Sequence, residues 1–331
     1  MKIAINGMGR IGRAALKVIL ETPELELVAV NDIVSAENIA YLLKYDSVYG
    51  IYDKTVSFDD TSLVVDGKKI NYTSIRNPKE LPWKAHKIDL VIESTGLFTT
   101  MENARKHIHA GAKTVVISAP TSSVDVPTVV HGVNSEQGNT SIFSCASCTT
   151  NNISPIVEIL GRRIGIKKAI MTTVHAYTAS QSIVDGPSKK NFRMGRAGAA
   201  NLVPTTTGAA IATTKALPQY TGKFDGVAIR VPIPVGSISD MTFVTERQVT
   251  VEEVNAILKE EAQTERYSEV IDTTTAPIVS SDIVKSPFAS TADLSMTRVV
   301  DGDLLKVMTW YDNEWGFTNQ MIRQILERKN N

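Results

Sequence analysis

Short apolar runs alternate with amphipathic stretches along the first 150 residues. Five runs predict buried strands: Lys2–Asn6, Leu25–Asn31, Ile88–Ser94, Thr114–Ser118 and Thr140–Ser144. Three stretches have apolar residues at helical spacing: Gly12 to about Ile19, Ser35–Lys44 and Glu102–His109. A hairpin is expected at the turn dipeptide Asp66-Gly67. The alternation of strand and helix predicts an α/β fold with a doubly wound parallel sheet.

The second half of the chain has a different pattern. Four alternating stretches predict strands of a mostly antiparallel sheet: Ala169–Tyr177, Ala228–Pro232, Ser239–Val249 and Leu304–Tyr311. Helices are expected after Cys148, at Val251–Ala262 and at Thr318–Arg328. The segment Ser180–Leu202 has no periodicity, and a connection of that length is usually functional or an interface.

Composition narrows the class of protein. The 331 residues carry a formal net charge of +0, which gives no sign of a nucleic-acid partner. No run of about 18 apolar residues is present, so no membrane span is expected. Two cysteines are too few for a disulfide framework, which points to a reducing compartment such as the cytoplasm.

A glycine motif follows the first strand. Gly7, Gly9 and Gly12 form G-x-G-x-x-G between a strand and a helix, the Rossmann dinucleotide fingerprint. Asp32 ends the second strand, where a carboxylate favours NAD by binding the ribose and repelling a 2′-phosphate. The ends of neighbouring parallel strands, including Thr95 and Ser118, should share one rim with Asp32.

Cys148 is the candidate nucleophile. It lies at a strand-to-helix junction, with Pro155 expected in the first helical turn. The unpaired N–H groups and partial positive charge of a helix start favour a thiolate and can bind anions, with Ser147, Thr149 and Thr150 beside them. Without the context of the other motifs, the alternative is that Cys148 is a small buried residue of the core and not a nucleophile.

His175 is the candidate base. It is isolated in an alternating strand directly after the cysteine helix, so the chain could bring it back beside Cys148. His86, His107 and His109 are expected to face solvent, because His86 lies in a polar loop and the other two on a charged helix. Taken alone, a histidine such as His175 is more often structural than a base.

A cysteine thiolate beside a nicotinamide can oxidise an aldehyde. The thiohemiacetal loses a hydride and becomes a thioester, whose acyl group can be transferred to phosphate. Such chemistry needs anion sites, for which Thr178, Arg230 and Thr205–Gly208 are candidates. The threonine cluster is also explained as a cap or turn.

Five motifs together resemble phosphorylating glyceraldehyde-3-phosphate dehydrogenases, over the full length and in that family's order. They are Ile5–Arg13, Leu43–Ser47, Ala146–Asn151, Thr173–Thr178 and Tyr311–Gly316. The resemblance implies NAD-dependent conversion of glyceraldehyde 3-phosphate and inorganic phosphate to 1,3-bisphosphoglycerate, a step of glycolysis and gluconeogenesis. Cys148 would be the nucleophile and His175 the acid and base.

The resemblance also implies the remaining roles. Thr178 and Arg230, helped by Arg193, would hold the substrate phosphate, and Ser147, Thr149, Thr207 and Gly208 the attacking phosphate. Arg10, Ile11, Arg76, Ser118 and Asn313 would contact the dinucleotide, with Asn313 on its carboxamide. Residues 1–148 with 313–331 would form the NAD-binding domain and 149–312 the catalytic domain. A homotetramer is implied, in which Ser180–Leu202 reaches a neighbour's cofactor site.

Several positions depart from the family pattern. Ile211, Ile233, Val235 and Gly236 adjoin the phosphate sites, so phosphate affinity is open and erythrose 4-phosphate stays an alternative substrate. Phe317 replaces a frequent tyrosine.

Two further questions stay open. Cys145 replaces the usual asparagine and could resolve an oxidised Cys148 as a disulfide. Pro187 favours NAD by resemblance, whereas Ser188 leaves secondary use of NADP open. A binding protein without catalysis is the alternative from another class.

Overall fold

The computed structural model describes residues 1–188 and 191–329. Its described residues divide into two compact units, one of residues 1–129, 135–146 and 321–329, the other of residues 130–134, 147–188 and 191–320. Lys189 and Lys190, which belong to the segment Ser180–Leu202, lie outside the described residues.

The first unit is built on a sheet of eight strands. In chain order its elements are β1 (Lys2–Asn6), α1 (Arg10–Leu20), β2 (Glu26–Asn31), α2 (Ala36–Lys44), β3 (Tyr45–Asp46), β4 (Gly50–Ile51), β5 (Val56–Asp59), β6 (Ser62–Val65), β7 (Lys68–Thr73), α3 (Trp83–His86), β8 (Leu90–Glu93), α4 (Met101–His109), β9 (Thr114–Ile117) and β10 (Ile142–Ser144). The strand order β10-β9-β8-β1-β2-β7-β6-β5 is parallel from β10 to β7, and the predicted doubly wound sheet is confirmed.

Local sequence explains the edge of this sheet. β6 and β7 form the expected hairpin, whose turn residues Asp66 and Gly67 have φ of 45° and 76°. Both angles are left-handed, as a type I′ turn requires, and Asp and Gly are favoured there. The two antiparallel pairs therefore extend the parallel sheet at one edge only.

The second unit contains a mostly antiparallel sheet, as predicted. Its elements are α5 (Cys148–Ile164), β11 (Ile166–Ala176), β12 (Val203–Thr206), α6 (Ala209–Ala216), β13 (Phe224–Val231), β14 (Ser237–Thr245), α7 (Val251–Glu261), β15 (Ile271–Thr274), β16 (Ser290–Asp293), β17 (Arg298–Val300), β18 (Leu304–Tyr311) and α8 (Trp315–Lys329), which ends in the first unit. The strand order is β12-β13-β11-β14-β18-β16-β15, with β17 beside β18. Two pairs are parallel, β11 with β13 and β15 with β16.

The core of the second unit lies between this sheet and its helices. Ile153, Ile156 and Leu160 of α5 are completely buried, as are Met241 and Phe243 of β14. Burial of such side chains contributes roughly 1.5–3 kcal/mol each to folding. The helix that begins at Cys148 is thereby fixed against the sheet that carries His175.

Two expectations about helices are wrong. Pro155 is the eighth residue of α5 and lies inside the helix, not in its first turn. Proline there lacks the N–H that would bond the carbonyl of Asn151. His107 is completely buried, because α4 turns it to the same face as Ala104, three residues earlier. His109 is exposed, as expected.

Candidate active site

Cys148 is the first residue of α5, as the sequence predicts. The preceding residue, Ser147, caps the helix: its Oγ accepts a hydrogen bond of 3.1 Å from the N–H of Thr150. Ala146 has a left-handed φ of 58°, so the chain turns sharply between β10 and the helix. The turn and the cap together present the partly exposed Cys148 side chain at the helix start.

His175 lies beside Cys148. Its Nε2 is 3.4 Å from the Cys148 Sγ, and its Nδ1 is 2.7 Å from the carbonyl oxygen of Ala176. Arg230 reaches the same ring because β13 pairs with β11 in a parallel register that sets Arg230 opposite His175. The Arg230 Nη1 is 2.6 Å from the His175 Nδ1.

Burial and charge set the protonation of this pair. Burial raises the pKa of the Cys148 thiol, although the Arg230 charge and the hydrogen bonds of Thr149 act in the opposite direction. Burial and the Arg230 charge lower the pKa of His175 to about 3, against the Ala176 carbonyl. The backbone N–H groups of the helix start favour the thiolate, as expected, but removal from water acts against them and the pKa of the thiol lies above its usual range.

A hydroxyl chain runs behind the nucleophile. The Tyr311 hydroxyl is 2.9 Å from the Thr149 Oγ1 and 2.8 Å from the Thr173 Oγ1. The Tyr311 ring also meets the His175 ring edge to face, with centroids 5.9 Å apart. Sequence reasoning gave Tyr311 no role, although it is part of one of the motifs. Its position fixes both Thr149 and the imidazole.

The predicted ligands of the substrate phosphate are Arg230, Thr178 and Arg193. The Nε of Arg230 is buried and has no hydrogen-bond partner among the described residues. The Thr178 N–H donates to Gln181 Oε1 at 3.3 Å, and the Thr178 hydroxyl is 2.9 Å from the Ser180 hydroxyl. The exposed Arg193 lies on a 3₁₀ turn, with Nη1 3.5 Å from the Pro204 carbonyl.

Thr207 and Gly208 begin helix α6. The Thr207 Oγ1 accepts from the Ala209 N–H at 3.2 Å, so the turn that was an alternative for this threonine is present. Gly208 is the N-cap, and a side chain added there would meet nothing within 4 Å. A helix start open in this way can bind an anion. Thr205 and Thr206 lie instead on β12, paired with β13, which the sequence did not predict.

The first unit has a cleft of about 270 Å³ at the carboxyl ends of its parallel strands. It is lined by Asn6, Gly7, Gly9, Asn31, Asp32, Ile33, Ile75, Arg76, Ser94, Thr95, Leu97 and Phe98. Four of the predicted dinucleotide residues besides Gly7 are therefore together here: Gly9, Asp32, Arg76 and Thr95. The Asp32 carboxylate accepts the N–H of Met8 at 2.6 Å and that of Val34 at 3.0 Å.

The glycines of the turn fit a dinucleotide. A side chain on Gly9 would meet nothing, so the backbone there is open to a ligand. Gly7 has φ of 98°, and a Cβ there would lie 2.6 Å from the Thr95 nitrogen. A Cβ on Gly12 would lie 1.9 Å from the Gly7 carbonyl oxygen. Gly7 is therefore needed for the tight turn and Gly12 for close packing of helix and strand, as in dinucleotide-binding folds.

The other expected cofactor residues lie outside the residues that line this cleft. Arg10 forms an ion pair of 2.7 Å with Asp46, and Ile11 follows it in α1. The Ser118 hydroxyl donates to the Glu93 carbonyl at 3.1 Å. Asn313 lies in the second unit, where its Oδ1 accepts from the N–H of Gly236 and the hydroxyl of Ser237.

A buried hydrogen-bond network holds two of the residues that line the cleft. The Trp83 indole donates to His107 Nδ1 at 3.0 Å, and His107 Nε2 is 3.0 Å from Glu93 Oε2. Because an indole only donates, His107 carries its proton on Nε2 and donates it to Glu93. Glu93 also accepts from the Asn6 amide at 2.6 Å and from the Thr95 N–H at 2.8 Å. Both of those residues line the cleft.

Two family models match the chain. "Glyceraldehyde 3-phosphate dehydrogenase, NAD binding domain" matches residues 1–101, and "Glyceraldehyde 3-phosphate dehydrogenase, C-terminal domain" matches residues 147–313. The chain belongs to the glyceraldehyde-3-phosphate dehydrogenase family. The resemblance drawn from the motifs is confirmed.

Curated members of the family are similar over almost their whole length. "Glyceraldehyde-3-phosphate dehydrogenase 2" of Streptomyces avermitilis is 46% identical over 326 residues, 97% of this chain and 96% of that protein. The Zymomonas mobilis enzyme is 46% identical with the same coverage. That of Clostridium pasteurianum is 44% identical over 330 residues, 98% of this chain and 97% of that protein.

The positions that depart from the glyceraldehyde-3-phosphate dehydrogenase pattern have different surroundings. Ile211 is 63% exposed on α6, whereas Val235 is buried. The carbonyl of Ile233 accepts from the Tyr177 N–H at 3.1 Å. Gly236 has φ of 89°, and a Cβ there would lie 2.5 Å from the Ser280 carbonyl oxygen. Phe317 is buried in α8.

Cys145 and Cys148 are not joined by a disulfide in the structure. Cys145 is buried, and burial raises the pKa of its thiol. The predicted disulfide with Cys148 stays a prediction. Among the described helices none is long and apolar enough to cross a membrane, and the described residues contain no group of three or more His, Cys, Asp or Glu side chains that could hold a metal ion.

Proposed function

We propose that this chain catalyses NAD-dependent oxidative phosphorylation of glyceraldehyde 3-phosphate to 1,3-bisphosphoglycerate, in glycolysis and gluconeogenesis. The observation that carries the proposal is the 3.4 Å contact between Cys148 Sγ and His175 Nε2 at the start of α5. It supplies a nucleophile and a base in a family whose named members are glyceraldehyde-3-phosphate dehydrogenases.

The residues of this chain perform the covalent steps. His175 takes the thiol proton as the Cys148 Sγ bonds to the aldehyde carbon, and returns it to the carbonyl oxygen. The resulting thiohemiacetal hydroxyl gives its proton back to His175 when the carbon loses hydride, which leaves a thioester on Cys148. Bound NAD supplies the hydride acceptor. Phosphate then attacks the thioester carbon, and the bond to Sγ breaks with the thiolate as leaving group.

Two sets of anion-binding groups fit the two phosphates. The Arg230 guanidinium, with its buried and unpartnered Nε, would bind the substrate phosphate with Thr178 and Arg193. Ser147, Thr149, Thr207 and Gly208 would bind the attacking phosphate, because they lie at the starts of α5 and α6. Positive helix ends stabilise the charge that develops there.

NAD would lie in the cleft of the first unit. Its pyrophosphate would approach the backbone at Gly9, and Asp32 would bind the adenosine ribose. Arg76 and Thr95 line the same cleft. Arg10, Ile11 and Gly12 follow Gly9 in α1, and Ser118 follows β9, which is next to β8 in the sheet. Asn313 would hold the carboxamide. Asp32 favours NAD, and secondary use of NADP is part of the proposal because of Ser188 beside Pro187.

We also propose a homotetramer of cytoplasmic location, with a NAD-binding domain of residues 1–148 and 313–331 and a catalytic domain of residues 149–312. The support for self-association is an exposed apolar surface on one face of the second-unit sheet. Ile170 of β11 is 61% exposed and Val227 of β13 50% exposed. Apolar surface of this kind is typical of protein interfaces.

The test follows the absorbance of reduced nicotinamide with glyceraldehyde 3-phosphate and NAD, with and without inorganic phosphate. We expect a rise that depends on phosphate and that is much weaker with NADP or erythrose 4-phosphate. A Cys148→Ser variant should lose several orders of magnitude in rate. If absorbance rises with erythrose 4-phosphate but not with glyceraldehyde 3-phosphate, then erythrose 4-phosphate is the substrate. No rise from folded, reduced protein would favour a binding role.

A further inference from the structure

The carboxylate of Glu93 is the centre of a hydrogen-bond network at the cleft of the first unit. Glu93 is the last residue of β8, and its side chain is completely buried. Its Oε2 accepts from the Asn6 amide at 2.6 Å and from His107 at 3.0 Å. Its Oε1 accepts from the N–H of Thr95 at 2.8 Å and from the hydroxyl of the same residue. Four donors therefore converge on one buried side chain.

The backbone of Ile75 fixes the direction of these hydrogen bonds at one end of the network. The Ile75 N–H donates to Asn31 Oδ1 at 2.9 Å, and Asn31 Nδ2 donates to the Ile75 carbonyl at 2.9 Å. Neither backbone group can exchange its role, so the Asn31 amide cannot turn over. Asn31 Nδ2 also donates to Asn6 Oδ1 at 2.7 Å, which leaves the Asn6 Nδ2 facing Glu93. The network thus includes four residues that line the cleft: Asn6, Asn31, Ile75 and Thr95.

The indole of Trp83 fixes the direction at the other end. It donates to His107 Nδ1 at 3.0 Å, so the ring proton is on Nε2 and points to Glu93. The Thr95 hydroxyl accepts from the Leu97 N–H at 3.1 Å, and its own proton is directed to Glu93. Every group in the network that contacts the carboxyl of Glu93 is thus a donor. Only an ionised carboxylate accepts from all of them.

We propose that Glu93 is a positioning residue for NAD: as a buried carboxylate ion it holds the four network residues of the cleft in the arrangement that the dinucleotide binds. The inference rests on the proposed place of NAD in this cleft. Among the described residues the ion-pair contact of Glu93 is with His107, whose ring is neutral because Nδ1 accepts from the indole. A buried ion without a cation beside it is unfavourable, and an apolar side chain would serve a purely structural role better.

Glutamine in place of Glu93 would keep the shape of the side chain and reverse one side of its contacts. An amide turned with its NH₂ toward Thr95 would face the backbone N–H there. Turned the other way, it would face the N–H groups of Asn6 and His107. The Asn6 amide cannot turn over because Asn31 is fixed, and His107 cannot move its proton because the indole of Trp83 occupies Nδ1. In both cases a buried donor loses its acceptor, so the residues of the cleft must shift.

A fluorescence titration with NAD measures the effect of Glu93→Gln. We expect the affinity to fall at least about tenfold, because a buried N–H group is left without an acceptor. Ile92→Ala is the matched control: Ile92 precedes Glu93 in β8 and is completely buried, and its truncation lowers Tm without changing a side-chain hydrogen bond. The control should keep its NAD affinity within about twofold. An equal loss in both variants, or wild-type affinity of folded Glu93→Gln, overturns the proposal.

A second substitution outside the cleft separates positioning from packing. Trp83→Phe removes the indole donor, so His107 can carry its proton on Nδ1 and accept from the glutamine amide through Nε2. The double variant Trp83→Phe/Glu93→Gln should therefore bind NAD at least about threefold more tightly than Glu93→Gln, whereas independent packing defects would add their losses. An affinity equal to or below that of Glu93→Gln would refute the fixed direction of the network.

Two variants of His107 test the proposal with the carboxylate intact, in case Glu93→Gln does not fold. His107→Gln keeps one donor and one acceptor and should bind NAD as the wild type does. His107→Leu removes the donor to Glu93 and should bind NAD at least about threefold more weakly. Equal affinities of these two variants contradict the proposal.

Gly9→Ala distinguishes a failure of this inference from a failure of the proposed cofactor site. Weaker binding of NAD by Gly9→Ala, with no effect of the network variants, would leave NAD in the cleft and refute the role of Glu93. Wild-type affinity in Gly9→Ala and in all the network variants would refute the cleft as the place of NAD, and with it the positioning by Glu93.

Discussion

Gly9 and Gly12 belong to one motif, but the structure assigns them different tasks that two alanine variants can separate. A Cβ on Gly12 would lie 1.9 Å from the Gly7 carbonyl oxygen, whereas ordinary contact begins at 3.4 Å. The turn or the helix would have to move by about 1.5 Å. Both sides of this contact are backbone, so no side chain can rotate away. A Cβ on Gly9 meets nothing within 4 Å.

The expected magnitudes differ accordingly. Overpacking costs roughly 1–3 kcal/mol, and the rigid backbone here favours the upper end for Gly12→Ala. For a unit of this size, 1 kcal/mol shifts Tm by roughly 2–4 °C, so Tm should fall by about 6–12 °C. Gly9 is the N-cap of α1 with φ of −68°, which alanine can adopt. Its replacement should cost about 1 kcal/mol or less in stability.

Binding should respond in the opposite order. The methyl group of Gly9→Ala would stand in the cleft where the backbone approaches the pyrophosphate, so NAD affinity should fall at least about tenfold. Calorimetric melting and a fluorescence titration with NAD measure the two effects on the same samples. Wild-type melting of Gly12→Ala, or wild-type NAD affinity of Gly9→Ala, would refute the reasoning.

Three further variants test other contacts. Asp32→Asn removes the charge that repels a 2′-phosphate, so the ratio of kcat/KM for NAD to that for NADP should fall at least about tenfold in steady-state assays; an unchanged ratio would contradict the role of Asp32. Tyr311→Phe leaves the Thr149 hydroxyl without its 2.9 Å partner and should raise the KM for inorganic phosphate several-fold more than that for NAD, which initial rates measure. Glu261→Gln should lower Tm at pH 7, because burial raises the pKa of Glu261 but hydrogen bonds from two arginines outweigh it and hold the pKa low. That stability is present above the unfolded pKa of about 4.3 and is lost as pH falls through the lower folded value, so the Tm difference from wild type should shrink below about pH 4. Glu260→Gln, with a side chain 64% exposed, is the control and should change Tm little; equal losses in both variants would be evidence against the buried pair.

Structural elements that depend on a few consecutive residues could be predicted from the sequence. The turn after β1, the hairpin at Asp66-Gly67 and the helix start at Cys148 each depend on a few consecutive residues with marked preferences. The parallel sheet followed from alternation of strand and helix, because the connections between such strands are helical crossovers. The fold class could therefore be predicted before any contact between distant residues was known.

Contacts between distant residues could not be predicted in this way. Arg230 reaches His175 because two strands 55 residues apart pair in one register, and no local pattern specifies register between them. β12 was missed because Pro204 interrupts its pattern, although an edge strand tolerates proline. His107 is the exception: its spacing of three from the buried Ala104 was a usable signal for its inner face.

The network of Trp83, His107 and Glu93 has a consequence for the thermodynamics of cofactor binding. Each of these side chains is completely buried or nearly so, and Glu93 holds both Asn6 and the backbone of Thr95 at the edge of the cleft. Those groups have already lost their rotational freedom when the protein folds. When a ligand enters the cleft, these protein groups lose little further conformational entropy. The entropic cost of ordering the site is therefore met during folding, and the affinity for the ligand is higher.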